Sequence, residues 1–216
     1  MTLSFDYYFS FRSPYSYLAT PQIEALLAQY DVAVEMRIVR PIAVRIPGFF
    51  EKVNPLWPPY LAKDCKRIAE MNNIPYRWPR PDPIVQDRET RSVAKDQPYI
   101  MRVSRLGALA SEQGKGFAFV RAASKMMWSG EVEGWHEGGR LAACADSVGL
   151  DGSALEAEVA AHPFRLDKII EGNEEAQQKA GHWGVPLFVF EGEPFFGQDR
   201  IGHLVWRMKQ RGLRER

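Results

Sequence analysis

The sequence is poor in cysteine. Its two cysteines, Cys65 and Cys144, lie far apart, and neither belongs to a Cys-x-x-Cys motif. This spacing excludes a dithiol redox centre made by the chain itself and gives no support for a disulfide framework. We therefore expect both residues to be small buried hydrophobic side chains.

Long apolar runs, metal-binding histidine patterns and an excess of one charge are missing too. No stretch approaches the roughly 20 apolar residues of a membrane-spanning helix, and the N-terminus lacks the apolar core of a signal peptide. The four histidines show neither HxxH nor HExxH spacing, so we expect no metal site. The formal net charge is only +1, from 28 Lys and Arg against 27 Asp and Glu. These absences indicate a cytoplasmic protein that binds neither nucleic acid nor a membrane surface.

The first forty residues predict a strand, a helix and a second strand. Apolar residues alternate over residues 3–11 and 32–38 with the period of two that is typical of strands. Between them, Ser13 is a plausible N-cap, with proline at the first helical position and an apolar pattern up to Tyr30. Pro21 should kink this helix or divide it, because proline has no N–H and crowds the carbonyl four residues earlier.

Helical patterns dominate the middle of the chain, and strands return only near its end. The segment 41–59 holds five prolines and is predicted to be an irregular loop. Strands are predicted at 185–190 and 194–197, followed by a last helix with Asp199 as its N-cap. The element order predicts a mixed α/β fold with one core, large enough for a small scaffold with an inserted helical subdomain. Helices are predicted at about 60–71, 93–112, 117–128, 139–148, 153–160 and 164–180.

The first helix begins with Ser13-Pro14-Tyr15-Ser16, which has the spacing of a Cys-x-x-Cys motif with serine at both ends. Serine cannot form a disulfide, so these residues cannot perform thiol–disulfide exchange. A helix N-terminus still favours anions, and it could hold and ionise a thiol brought in by a cofactor, for which glutathione is the obvious candidate. The alternative is that Ser13 is an ordinary N-cap.

Two later segments favour the cofactor interpretation. Gly184-Val185-Pro186 has the pattern by which thioredoxin-like folds place a cis-proline opposite the first helix, where the preceding residue offers its backbone to a bound peptide or to glutathione. The segment 197–200, Gly-Gln-Asp-Arg, puts opposite charges at a helix start, where they could bind a zwitterionic α-amino acid group. Each segment also has a plain structural interpretation, as an edge proline and as a helix cap.

Together these segments resemble the 2-hydroxychromene-2-carboxylate isomerase family, which is related to the kappa-class glutathione transferases and more distantly to DsbA. The matching text is FDYYFSFRSPYSYLA, YLAKDCKRIAEMNNIPY and GVPLFVFEGEPFFGQDRIGHL, spread over nearly the whole chain. The resemblance implies a DsbA-like thioredoxin domain formed by residues 1–40 and 182–216, with an all-helical insertion over residues 41–181. It also implies a homodimer.

The resemblance also implies a site and a mechanism. In that family the first serine of SPxS contacts the glutathione sulfur, which makes Ser13 the catalytic residue. A bound thiolate would add to a conjugated α-keto acid, the former double bond would rotate, and glutathione would be eliminated. Arg12 and Leu187 depart from the family pattern and bear on substrate identity. The other implied glutathione-binding residues are Asn54, Val185, Pro186, Gln198, Asp199 and Arg200.

Two further groups have open interpretations. His182 and Trp183 precede the Gly-Val-Pro segment and could line the site, although we favour a helix-terminal histidine beside a packing tryptophan. Tyr60, Asp64 and Arg67 share one helix face. This face could be a ladder of ion pairs or a binding surface, and we favour the ladder.

Three functions are consistent with this sequence. The first is a glutathione-dependent isomerase of 2-hydroxychromene-2-carboxylate-type α-keto acids, acting on a small-molecule substrate. The second is a kappa-like glutathione transferase or peroxidase that uses the same site on other electrophiles. The third is a non-catalytic thioredoxin-like module that binds peptides beside its cis-proline.

Overall fold

The computed structural model describes residues 2–87 and 89–216. Its sheet has four strands in the order β2-β1-β3-β4. β1 pairs with β2 in parallel, with Phe5 opposite Val34, whereas the β1–β3 and β3–β4 pairs are antiparallel. The strands are β1 (Leu3–Phe9), β2 (Val32–Ile38), β3 (Leu187–Phe190) and β4 (Glu193–Phe196).

Eight of the ten helices in the described residues were predicted, in the observed order, and the other two, α2 and α3, lie in the segment predicted to be an irregular loop. Within the described part of residues 41–181 no strand joins the sheet, as expected from the confinement of strand patterns to the two ends. None of the described helices combines the length and the apolar character that crossing a membrane would require. The helices are α1 (Pro14–Gln29), α2 (Ile42–Arg45), α3 (Phe49–Lys52), α4 (Trp57–Met71), α5 (Pro98–Glu112), α6 (Gly116–Trp128), α7 (Arg140–Asp146), α8 (Gly152–Ala161), α9 (Pro163–Lys179) and α10 (Ile201–Lys209), the last preceded by a 3-10 turn (Gln198–Arg200).

Two predicted boundaries were wrong. The segment 41–59 is not wholly irregular, because α2 and α3 each form a single helical turn within it. The helix predicted from residue 93 begins only at Pro98, since the side chain of Gln97 bonds to the backbone of Val85 and Ala94 and holds the preceding chain in a non-helical turn.

Pro21 does not divide α1, which runs unbroken from Pro14 to Gln29. Proline cannot donate to the carbonyl four residues earlier, which belongs to Tyr17. The hydroxyl of Thr20 donates to that carbonyl instead, at 2.7 Å. A neighbouring side chain therefore satisfies the acceptor that Pro21 leaves without its usual donor.

Aromatic side chains join the sheet to the helical block. On the inner face of β1, Tyr7 packs against Phe188 with ring centroids 4.8 Å apart. The indole of Trp128 in α6 is fully buried, donates to the carbonyl of Phe11 at 2.9 Å and stacks on Tyr17 of α1. The end of β1 and the start of α1 are therefore held firmly against the helices, which fixes the position of the motif between them.

Candidate active site

Ser13 caps the N-terminus of α1. Its backbone is extended, with φ −91°, and its Oγ accepts a hydrogen bond from the N–H of Ser16 at 3.2 Å. The predicted N-cap is confirmed. The Ser13 hydroxyl also lies 3.5 Å from the carbonyl oxygen of Val185, which is too long for a strong hydrogen bond. The hydroxyl hydrogen is therefore weakly held and can turn toward a better acceptor.

The first turn of α1 has one further free donor. Pro14 has no N–H, and the N–H of Ser16 is used by the cap. The N–H of Tyr15 makes no hydrogen bond to the residues that the structure describes. The helix start therefore offers the Ser13 hydroxyl, the Tyr15 N–H and the positive end of the helix dipole to an anion.

Val185, which precedes a cis-proline, lies opposite this helix start. The Val185–Pro186 bond is cis, as predicted. The N–H of Val185 has no hydrogen-bond partner among the described residues, and the carbonyl of Pro186 accepts from the N–H of Gly197 at 2.9 Å. Val185 thus presents free backbone groups to which an extended peptide could add as a strand.

A cavity of about 850 Å³ opens over Ser13 and Val185. One side is formed by the sheet unit, and the other by the segment 41–62 and the loop around Trp78. Phe49 lies at the centre of an aromatic wall, and its ring makes edge contacts with Phe50, Trp57 and Trp183 at 5.4, 6.3 and 6.3 Å. Other lining residues include three arginines, one aspartate and several uncharged residues, among them Arg12, Arg45, Arg91, Asp87, Ser10, Pro14, Tyr15, Pro58, Leu61 and Phe196.

Arg12 projects into the cavity wall beside Ser13, where it is rigidly held. Its Nε and Nη2 each donate to Asp82 at 3.1 Å. The guanidinium lies between the rings of Phe50 and Trp78, 5.0 and 5.2 Å from their centroids. Nη1 makes no hydrogen bond within the described part of the chain, so this edge of the guanidinium can receive a ligand.

Arg45 adds a second positive charge to the wall. Its Nη1 donates to Gln177 and its Nη2 to the carbonyl of Trp183, both at 2.9 Å, while its buried Nε has no partner among the described residues. No described carboxylate lies within ion-pair distance of it. Burial lowers the pKa of Arg45, yet an arginine stays protonated at neutral pH. The cavity therefore favours ligands that carry negative charge.

The thiol and phenol nearest the motif are held in their neutral forms. The hydroxyl of Tyr15 donates to Asp64 at 2.8 Å, and burial together with this bond raises the pKa of Tyr15. Burial raises the pKa of Cys65 to about 12. Neither group supplies a nucleophile at neutral pH.

The predicted ion-pair ladder on α4 was wrong. Asp64 is turned toward Tyr15 of α1, and no Asp64–Arg67 pair occurs among the described residues. The ion pair that does occur on this helix joins Lys66 and Glu70 at 3.6 Å. The face therefore serves contact between α1 and α4, with Tyr15 at the cavity wall.

The structure brings some of the predicted site residues together and leaves others outside the cavity. Ser13 and Val185 line the cavity, and Pro186 follows directly. Asn54 is exposed, and its Oδ1 accepts from the N–H of Leu56 at 2.9 Å. Its predicted contact with a ligand would need a different side-chain orientation.

The Gly-Gln-Asp-Arg segment follows the cavity-lining Phe196 in the chain, and its own residues do not line the cavity. Gln198 accepts a hydrogen bond from Gln22 of α1 at 3.0 Å. The prediction that Asp199 caps α10 was wrong. Asp199 lies in a 3-10 turn that begins after Gly197 and ends before α10 starts. Asp199 instead pairs with Arg200 at 3.1 Å, with 59% and 49% of their side chains exposed.

Several site residues were missed at the sequence level. Asp82 belongs to a proline-rich segment that reads as a linker, and Arg45 to one that reads as a loop. The one available signal was the density of aromatic residues in segment 41–59. It indicates a surface that the chain keeps apolar for a partner or ligand.

Comparison with known proteins agrees with this architecture. Residues 5–209 match the DSBA-like thioredoxin domain family. The 2-hydroxychromene-2-carboxylate isomerase of Sphingobium xenophagum is 27% identical over 208 residues, which cover 94% of this chain and 97% of that protein.

Two solved structures share the fold. One is a 2-hydroxychromene-2-carboxylate isomerase, with a TM-score of 0.72, 20% identity and coverage of 96% of this chain and 95% of that one. The other is the cytosolic disulfide reductase DsbM from Pseudomonas aeruginosa with GSH, with a TM-score of 0.60, 17% identity and coverage of 97% and 100%. The predicted DsbA-like thioredoxin fold is confirmed.

Proposed function

Because the chain belongs to the DSBA-like thioredoxin domain family, we propose that it uses the start of α1 to activate a visiting thiol instead of a thiol of its own. The proposed activity is glutathione-dependent isomerisation of aromatic α-keto acids of the 2-hydroxychromene-2-carboxylate type. The observation that carries the proposal is Ser13 at the N-cap of α1, facing the free backbone of Val185 across an aromatic, positively charged cavity.

The similar proteins support both parts of the proposal. A relative that aligns over nearly the full length of both chains is named an isomerase of this type. A structure with the same fold contains GSH. With serine at both ends of the motif, the disulfide chemistry of the second relative cannot be performed by the same positions here.

The described residues fit glutathione. Its peptide-like backbone can pair with the free N–H of Val185 and with its carbonyl, which has only the long 3.5 Å contact from the Ser13 hydroxyl. Its γ-glutamyl group, which carries an ammonium and a carboxylate, can form ion pairs with Asp199 and Arg200, which follow the cavity-lining Phe196 in the chain.

When bound, glutathione would supply a thiolate that adds reversibly to the conjugated α-keto acid, so that a former double bond can rotate before the thiol leaves. Ser13 and the N–H of Tyr15 donate to the position of the sulfur and lower the free energy of its anionic form. The positive charges of Arg12 and Arg45 favour the substrate carboxylate and the negative charge that develops on its keto oxygen. No protein base is needed, since the sulfur departs as it arrived.

The aromatic wall gives the substrate its orientation. Phe49 contacts Trp57 and Trp183 edge to face, so the three rings form one apolar surface against which a planar aromatic ring can pack. A substrate ring packed on this surface would displace water from the region above Ser13 and so strengthen the hydrogen bonds made there.

The test is turnover of 2-hydroxychromene-2-carboxylate with and without glutathione, with S-methylglutathione as the matched control. S-Methylglutathione keeps every recognition group of the cofactor and has no thiol to ionise. We expect turnover only with glutathione itself. Turnover without a thiol, or none with it, would contradict the proposal.

Glutathione transfer to other electrophiles is the second candidate, because a cavity of this size with a mainly apolar wall accepts varied substrates. The two activities are told apart by the fate of the cofactor. An isomerase regenerates it, whereas a transferase consumes one glutathione for each product.

A further inference from the structure

Gly184, the residue before Val185, is held by a histidine. The N–H of Gly184 donates to Nδ1 of His182 at 2.9 Å. The imidazole stacks on the rings of Phe196 and Trp183, with centroids 3.9 and 5.6 Å away, and both rings line the cavity. An ideal Cβ at position 184 would lie 2.5 Å from the Phe196 ring, so the glycine backbone sits directly against this stack.

Two more side chains fix the same segment. Nε2 of Gln177 donates to the carbonyl of Gly184 at 2.7 Å, and Nη2 of Arg45 donates to the carbonyl of Trp183 at 2.9 Å. The amide and the guanidinium do not change protonation in the range where histidine titrates. Of the three side chains, only His182 can therefore respond to pH.

We propose that His182 is a positioning residue, whose neutral imidazole holds Gly184 and thereby presents the backbone of Val185 to the cavity, and that protonation of Nδ1 releases this segment. The reason is that Nδ1 accepts only while it carries no proton, because both nitrogens of an imidazolium are donors. The link to cofactor binding rests on the proposed function, whereas the link between His182 and Gly184 does not.

The surroundings of the ring set the direction of the switch. Burial lowers the pKa of His182 below its ordinary value, so the ring is neutral at pH 7. Two uncharged side chains face this region. Phe196 of β4 stacks on the His182 ring, and Gln177 of α9 bonds to the carbonyl of Gly184. Arg45 of α2 is the charged group bonded to the segment, through the carbonyl of Trp183. Acidification below the lowered pKa is therefore needed to break the bond.

The first experiment follows the amide of Gly184 by nuclear magnetic resonance and hydrogen exchange between about pH 7.5 and about pH 5. Two variants are compared with the native chain. In His182→Asn the side-chain oxygen can accept from the N–H two residues on, as in an Asx turn, and it does not titrate. In His182→Leu no acceptor exists. We expect protection of Gly184 to fall with acid in the native chain, to stay constant in His182→Asn, and to be absent in His182→Leu.

The second experiment measures the affinity for S-methylglutathione by calorimetry over the same range, because this ligand has no thiol to titrate. In the native chain we expect affinity to fall about three- to tenfold on acidification, the range of one hydrogen bond. His182→Asn should bind equally well at both ends, and His182→Leu should bind weakly throughout.

The outcomes separate this inference from the proposed function. An amide of Gly184 that keeps its protection in acid, or that behaves alike in the native chain and His182→Asn, overturns the role of His182. If the protection of the Gly184 amide falls with acid while the affinity for S-methylglutathione stays constant, then His182 does not act on ligand binding through the backbone of Val185. If the native chain binds no S-methylglutathione at any pH, the proposed function fails, and the amide titration still decides whether His182 governs this segment.

Discussion

Removing the hydroxyl of Ser13 should lower turnover far more than it lowers stability. The hydroxyl makes one capping hydrogen bond, to the N–H of Ser16 at 3.2 Å, and losing such a cap to alanine costs about 1 kcal/mol. As a donor to a thiolate it is expected to contribute about 10²- to 10³-fold in rate. Its contact with Val185 is long, so turning toward the sulfur sacrifices little.

The cap and the donor can be separated by a second variant. Glycine is a good N-cap, and replacing serine by glycine costs only a few tenths of a kcal/mol, roughly a third of the alanine cost. Ser13→Gly should therefore unfold at nearly the native urea concentration and still lose about 10²- to 10³-fold in turnover. Ser13→Thr keeps a hydroxyl and should retain most of the activity.

Ser16→Ala is the matched control within the same motif. The side chain of Ser16 is fully buried, its Oγ has no partner among the described residues, and it does not line the cavity. We expect this variant to keep native turnover and to lose little stability, since no hydrogen bond of its side chain is removed.

The assay combines kcat/KM at saturating glutathione with the thiol pKa of the bound cofactor, read from ultraviolet thiolate absorbance. We expect the thiol pKa to rise in Ser13→Ala and Ser13→Gly and to stay unchanged in Ser16→Ala. If Ser13→Gly shows the native thiol pKa and native turnover, then Ser13 is only a helix cap, and the reasoning about its hydroxyl is refuted.

Three further predictions concern the fold and the assembly. Thr20→Val should lower the free energy of unfolding by about 1–3 kcal/mol in urea denaturation, because it leaves the carbonyl of Tyr17 without a donor, while Thr20→Ser should recover most of this loss. Equal midpoints for the native and valine chains would contradict the role of the hydroxyl. Asp82→Asn should lower the free energy of unfolding by about 3 kcal/mol, because it leaves the largely buried guanidinium of Arg12 without its counter-charge. The double variant Arg12→Met with Asp82→Asn should lose less stability than the sum of the two single changes. Additive losses would show that the pair is not coupled. Light scattering at micromolar concentration should give the mass of a homodimer, and a monomeric mass would refute that expectation.

The N-terminal part of the fold was predictable because its sequence signals are local. Alternating apolar residues mark β1 and β2, and Ser13 followed by proline marks the start of α1. Residues in such patterns need only their neighbours in sequence to adopt the observed structure. The positions of these elements therefore agree with the structure to within a few residues.

The cavity wall could not be predicted, since its contacts join distant parts of the chain. Arg12 meets Asp82 across 70 residues, and Arg45 meets the carbonyl of Trp183 across 138. Neither pairing leaves a trace in local spacing. The prediction for Asp199 was wrong because a short 3-10 turn stands where its residue type favours a helix cap.

The serines of the motif also have a consequence for the chemical durability of the protein. Oxidants and alkylating reagents attack thiolates, and a cysteine at the start of a helix is vulnerable to both. Here that position holds a hydroxyl, and burial raises the pKa of both Cys65 and Cys144, so each stays in the unreactive thiol form. Peroxide or iodoacetamide therefore finds no activated thiol at either cysteine. Under the proposed function, an oxidised thiol cofactor can be replaced by a fresh one from solution, whereas a damaged cysteine would have to be repaired in place.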